Sequence, residues 1–125
     1  MSDKIIELMK FANFLADEAA QISTKYFRKQ IDIESKENLS PVTIADREVE
    51  SKLRELIKLH YPNHGIIGEE FANETEAAEY CWVLDPIDGT VAFSTGKPTY
   101  TTLIALLENG QPVLSIIDQP VSEER

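Results

Sequence analysis

The sequence predicts an α+β fold, two N-terminal helices packed on a largely antiparallel sheet. Three observations carry that prediction. Apolar residues in the first half recur at helical spacing, those after residue 64 gather into short runs rich in Ile, Val and Leu, and Asn109-Gly110 separates the last two runs where a hairpin would turn.

Ile5, Leu8, Ala12, Leu15, Ala19, Ile22 and Tyr26 alternate spacings of three and four, which puts them on one face of a helix from about Asp3 to about Lys29. "IDIESKENLSP" then alternates apolar and polar residues before a proline and reads as a short strand or extended link. A second helix is expected from about Ile44 to His60, with Val49, Leu53, Leu56 and Ile57 inward and "YPNHG" ending it. Thr43 followed by Asp46 fits a capping box at its start. "GIIGEE", "CWVLD", "TTLIALLE" and "PVLSIID" read as strands, interrupted by "ANETEAAEY", expected as a short exposed helix capped by Asn73. The last strand has no helix after it to cover the second face of the sheet.

The 125 residues are enough for one domain with its own core, and no internal repeat or low-complexity tract divides them. A net charge of −10 argues against nucleic acid or an anionic membrane, either of which needs a basic footprint. It leaves room for a small phosphorylated substrate, because a bound cation reverses the field of an acidic site. Cys81 is the one cysteine, so no disulfide can form within the chain, and no continuous apolar run marks a signal peptide or a membrane span. The cytoplasm is the expected compartment. Cys81 and Trp82 lie in an apolar run and read as core, and His60 and His64 as surface or packing residues.

The chemistry concentrates in "WVLDPIDGT", where Asp85 and Asp88 stand three apart with no Lys or Arg between them. Two nearby carboxylates repel, the more so in a low dielectric, and need a shared proton, a basic side chain from elsewhere or a metal ion. Pro86 fixes the backbone between them, Gly89 permits a sharp turn, and the Ile87 carbonyl adds an oxygen. An all-oxygen set suits Mg²⁺ better than zinc, although a strand end followed by an Asp-Gly turn also explains the pattern. Glu69-Glu70 exits a strand in the same way, and if that strand continues only one of the two faces a shared cation. Asp46 serves either as helix cap or as the partner that orients the Thr90 hydroxyl, while the Gly89 and Thr90 N–H groups could receive an anion. Metal-binding carboxylates, a hydroxyl and an anion cradle together suggest phosphoryl transfer to water.

"GEE", "WVLDPIDGT", Phe93 with "GKP", and the upstream "SPVTIADREVE" resemble, in order, the motifs of the inositol monophosphatase-like, lithium-sensitive phosphatases. The resemblance implies half of an αβαβα layered sandwich and Mg²⁺ held by Glu69, Asp85, Asp88 and the Ile87 carbonyl. It further implies water activation by Thr90 with Asp46 and with Glu69, and phosphate binding by Asp88, Gly89 and Thr90 with Lys36 from the preceding loop. No covalent intermediate is implied. The segment after "WVLDPID" resembles the histidinol-phosphatase branch more than the inositol monophosphatases, which commonly have Asn where this chain has Ala92. Histidinol phosphate is therefore the expected substrate, with inositol phosphate, sugar bisphosphates and a nucleotide bisphosphate as rivals. Family members are longer, and their C-terminal half adds an aspartate ligand and substrate contacts. The match here is to the N-terminal half, so the second reading is a non-catalytic fragment that binds a metal or pairs with another chain, and association of copies through the open sheet face is the expected partner interaction.

Overall fold

The structure is a computed structural model that describes residues 2–28 and 41–125. Two long helices come first: α1 (Asp3–Tyr26), whose Ser2 cap accepts the Ile5 N–H, and α2 (Pro41–His60). Four strands follow, β1 (Gly65–Ile67), β2 (Tyr80–Asp88), β3 (Thr101–Glu108) and β4 (Gln111–Asp118), with a short α3 (Thr90–Ser94) between β2 and β3. They form one sheet in the order β1-β2-β3-β4, antiparallel except for the β1-β2 pair. The expected α+β architecture is therefore the observed one, and the strand or link expected in "IDIESKENLSP" lies outside the described residues.

The core lies between the helices and one sheet face. Leu8, Ala12, Leu15 and Ala19 of α1 and Val49, Leu53, Leu56 and Ile57 of α2 meet Trp82, Leu84, Ile104, Leu106, Leu114 and Ile116. Trp82 is fully buried, and its indole N–H donates to His64 Nδ1 at 3.0 Å. His60 packs on Phe11, so both histidines serve packing, as expected. A second cluster of Phe27, Ala45, Ile87, Phe93 and Tyr100 sits under the end of β2 and ties α1 to it, the Ser23 and Tyr100 hydroxyls meeting at 3.0 Å. Asn109 and Gly110 take φ of 51° and 81° between β3 and β4, the left-handed pair that a two-residue hairpin needs.

Four local expectations are corrected. Helix α2 starts at Pro41 rather than Ile44, which places Thr43 inside the first turn and removes it as the cap; a proline there loses no intrahelical bond. Strand β1 ends at Ile67, so strand alternation is not what separates Glu69 from Glu70. Strand β2 does not stop at Asp85: it runs to Asp88 through an irregularity between the two aspartates, where the Thr102 hydroxyl donates to the Pro86 carbonyl at 2.8 Å. "ANETEAAEY" forms no helix, because the Glu74 backbone pairs with Ile66 through two 2.8 Å bonds and Thr75 then turns the chain at positive φ. Asn73 instead accepts the Gly68 N–H at 3.3 Å.

Candidate metal and phosphate site

Parallel pairing of β1 and β2 brings their C-terminal ends to one edge of the sheet. Ile67 is in register with Val83, so Glu69 and Asp85 both leave that edge two residues beyond a matched pair. Helix α2 precedes β1, and Asp46, near its start, lies close enough to the same edge to feel the charges of Glu69, Glu70 and Asp85. Asp88 ends β2 opposite Thr101, and Gly89, at φ 84°, turns the chain into α3.

These carboxyl groups feel one another's charge. Burial pushes the Asp46 carboxyl up to about 7, helped by repulsion from Glu70, Asp85 and Glu69, while a backbone hydrogen bond from Ile87 opposes the rise. Asp85 is pushed up to about 6 by burial and then by Glu69, Asp88 and Glu50. Asp46 Oδ1 and Asp85 Oδ1 are both buried without a hydrogen-bond partner among the described residues, an expensive state for carboxylate oxygens. Glu70 is occupied by Arg47 at 3.4 Å, whereas the exposed Glu69 has no ion-pair partner among the described residues. That division, rather than strand alternation, leaves Glu69 as the free member of the pair.

The donor set fits a hard cation, since every candidate ligand is an oxygen and one of them, Asp85 Oδ1, is buried and unpaired among the described residues, with Asp46 Oδ1 in the same state beside it. The carboxylates share an edge without closing on one point: among the described residues no three His, Cys, Asp or Glu side chains form a group that could hold an ion. Thr90 is exposed, and the hydrogen bond that Asp46 accepts comes from the Ile87 backbone and not from Thr90. The Ile87 side chain is buried in the second core cluster, and Lys36 lies outside the described residues.

Sequence reasoning missed Glu50 and Arg54. Both are buried on α2, one and two helical turns beyond Asp46, and they grip the loop that carries Glu69. The available signal was their i, i+4 spacing from Asp46 on the stripe that also holds Val49, Leu53 and Ile57.

Fold and site define a class: a helix-backed mixed sheet with an oxygen-lined edge suited to a hard cation. The chain belongs to the inositol monophosphatase family, whose profile matches residues 5–125. It is 51% identical over 124 residues to the bifunctional phosphatase IMPL2, chloroplastic, of Arabidopsis thaliana, covering 95% of this chain and 36% of that protein. It is 39% identical over 112 residues to the histidinol-phosphatase of Mycobacterium tuberculosis, covering 89% of this chain and 43% of the relative. An inositol monophosphatase structure from Zymomonas mobilis superposes with a TM-score of 0.83 at 44% identity, covering all of this chain and 47% of the other. The chain thus spans between a third and a half of the length of these relatives.

Proposed function

We propose that this chain is the metal- and phosphate-binding part of a Mg²⁺-dependent phosphomonoesterase. The observation that carries the reading is the pair of buried carboxylate oxygens, Asp46 Oδ1 and Asp85 Oδ1, that have no hydrogen-bond partner among the described residues, at an edge that also gathers Glu69 and Asp88. Glu69, Asp85, Asp88 and the Ile87 carbonyl would hold Mg²⁺, which when bound supplies Lewis acidity toward the phosphate, a lowered pKa for a bound water and charge stabilisation of the departing alkoxide. Asp46 and Thr90 would orient the attacking water, Glu69 would share its proton, and the N–H groups of Gly89, the cap of α3, and Thr90, its first residue, would receive the phosphate with Asp88; Lys36, outside the described residues, is assigned there by the family resemblance alone.

Histidinol phosphate is the favoured substrate, supported by the segment from Gly89 onward and by a relative that is itself a histidinol-phosphatase. Inositol phosphate is the alternative, supported by the likeness to an inositol monophosphatase structure. A reducing compartment such as the cytoplasm suits a chain whose cysteine is a buried free thiol, and no described helix is long and apolar enough to cross a membrane. Association through the outer sheet face completes the reading. Val83, Leu103, Ala105 and Ile117 line a largely apolar groove of about 300 Å³ there that Asp85 also lines, and Ile117 is 63% exposed.

The test is phosphate release from histidinol phosphate and inositol 1-phosphate with and without Mg²⁺, for the parent and for Asp88→Asn. Release that rises with Mg²⁺ and is lost in the folded variant is the expected result. A variant as active as the parent, or release indifferent to Mg²⁺, would sink the assignment.

A further inference from the structure

The loop after β1 has to hold Glu69 at the site, yet residues 68–73 belong to no helix or strand. Its support comes from α2. Glu50 is fully buried, and its Oε1 accepts the N–H groups of Glu69 at 2.9 Å and Glu70 at 3.0 Å. Its Oε2 accepts the Phe71 N–H at 3.2 Å and Arg54 Nε at 2.9 Å. Arg54 in turn donates to the carbonyls of Phe71 at 3.0 Å and Ala72 at 2.8 Å, and to Glu74 at 3.1 Å. One buried ion pair therefore holds three consecutive amides and two consecutive carbonyls of this loop.

Gly68 makes the approach possible. A Cβ at that position would stand 2.5 Å from Glu50 Oε2 and 2.7 Å from Oε1, so any side chain there would displace the carboxylate from the amides. The grip begins at the N–H of Glu69 itself, and Glu50 lies one helical turn from Asp46, so α2 fixes both acidic groups from a single rigid element.

We propose that Glu50, paired with Arg54, is a positioning residue: it anchors the Glu69–Phe71 backbone so that the Glu69 carboxylate is presented to the metal site. The inference rests on the reading of that site given above. Glu50 touches neither metal nor substrate and acts through Glu69.

Two variants with different failure modes test it. Glu50→Gln keeps the size but turns a donor toward Phe71 N–H and Arg54 in place of Oε2. Gly68→Ala leaves the ion pair intact and displaces it sterically. For each, thermal melting reports folding, amide hydrogen exchange reports the Glu69, Glu70 and Phe71 N–H groups, and titration calorimetry with MgCl₂ alone reports metal binding. The expected result is a folded protein in which these amides exchange at least about tenfold faster. The Mg²⁺ Kd should rise by about 10- to 100-fold, the usual effect of losing a group that orients a metal ligand.

Faster exchange with an unchanged Kd would overturn the proposal, and so would loss of folding in both variants, which would assign the pair to stability alone. A parent chain that takes up no Mg²⁺ would overturn the reading of the site and this inference with it. A parent that binds, with variants that bind equally well, overturns only the inference.

Discussion

Asp46→Asn removes a charge from the centre of the acidic edge with little change of shape, and it should stabilise the metal-free chain. With chelator present, the Asp46 carboxyl titrates at about 7 instead of 3.8, because burial strips its water and Glu70, Asp85 and Glu69 repel its charge. A folded-state value above the unfolded one means that the folded chain holds more protons between those two pH values. Stability from this group is therefore full below 3.8, declines as pH rises to about 7, and stays low above it. The interval corresponds to at most about 4 kcal/mol. The asparagine amide still has to satisfy a buried polar group beside an orphaned oxygen position, a cost of about 1–3 kcal/mol that a protonated Asp46 shares. At pH 8 in EDTA the variant should exceed the parent by about 2–4 kcal/mol in urea unfolding, and the gap should close toward zero at pH 4. Mg²⁺ at pH 8 should narrow the gap, since a cation offsets the repulsion that the parent suffers. A variant less stable than the parent at pH 8 in EDTA would refute the reasoning.

Ser23→Ala should cost about 1–3 kcal/mol by leaving the buried Tyr100 hydroxyl without its partner, and Tyr100→Phe in the same chain should recover much of it in a double-mutant cycle read by urea unfolding. Gly65→Ala should cost about 1–3 kcal/mol and open the Ile66–Glu74 bridge, visible as faster exchange of both amides, because its Cβ would fall 2.2 Å from the Thr75 carbonyl oxygen. Ile117→Lys should reduce self-association in sedimentation velocity without lowering the melting temperature, as the side chain it replaces is exposed on the outer sheet face.

Periodicity was a good guide wherever a residue's role is set by its own element. The inward faces of both helices and the Asn109-Gly110 turn all follow from local pattern. It was a poor guide where tertiary partners decide. Thr43 and Asp46 have the spacing of a capping box, but α2 begins two residues before Thr43 and buries Asp46 against the ends of β1 and β2. "ANETEAAEY" has helix-forming alanines and glutamates, but the Glu74 backbone is recruited to Ile66 and its carboxylate to Arg54 and Lys58. The candidate ligands were legible as motifs, whereas what holds Glu69 was not, since the Glu50 contacts go to main-chain amides and leave no pattern of side-chain types in the sequence.

Helix α2 also supplies an internal control on the functional reading. Asp46 and Glu50 are both buried carboxylates on one helix, four residues apart. Glu50 is answered in full by three amides and a guanidinium, which is how a fold tolerates a buried charge that it uses as structure. Asp46 has an oxygen with no hydrogen-bond partner among the described residues and like charges for neighbours, and burial together with those charges raises its pKa. A helix that can neutralise one carboxylate so completely is not short of means to neutralise the next. Asp46 is therefore the buried carboxyl of α2 that the described chain leaves partly unpaired, which accords with the role proposed for it above, orienting water beside a cation that the neighbouring oxygens would hold.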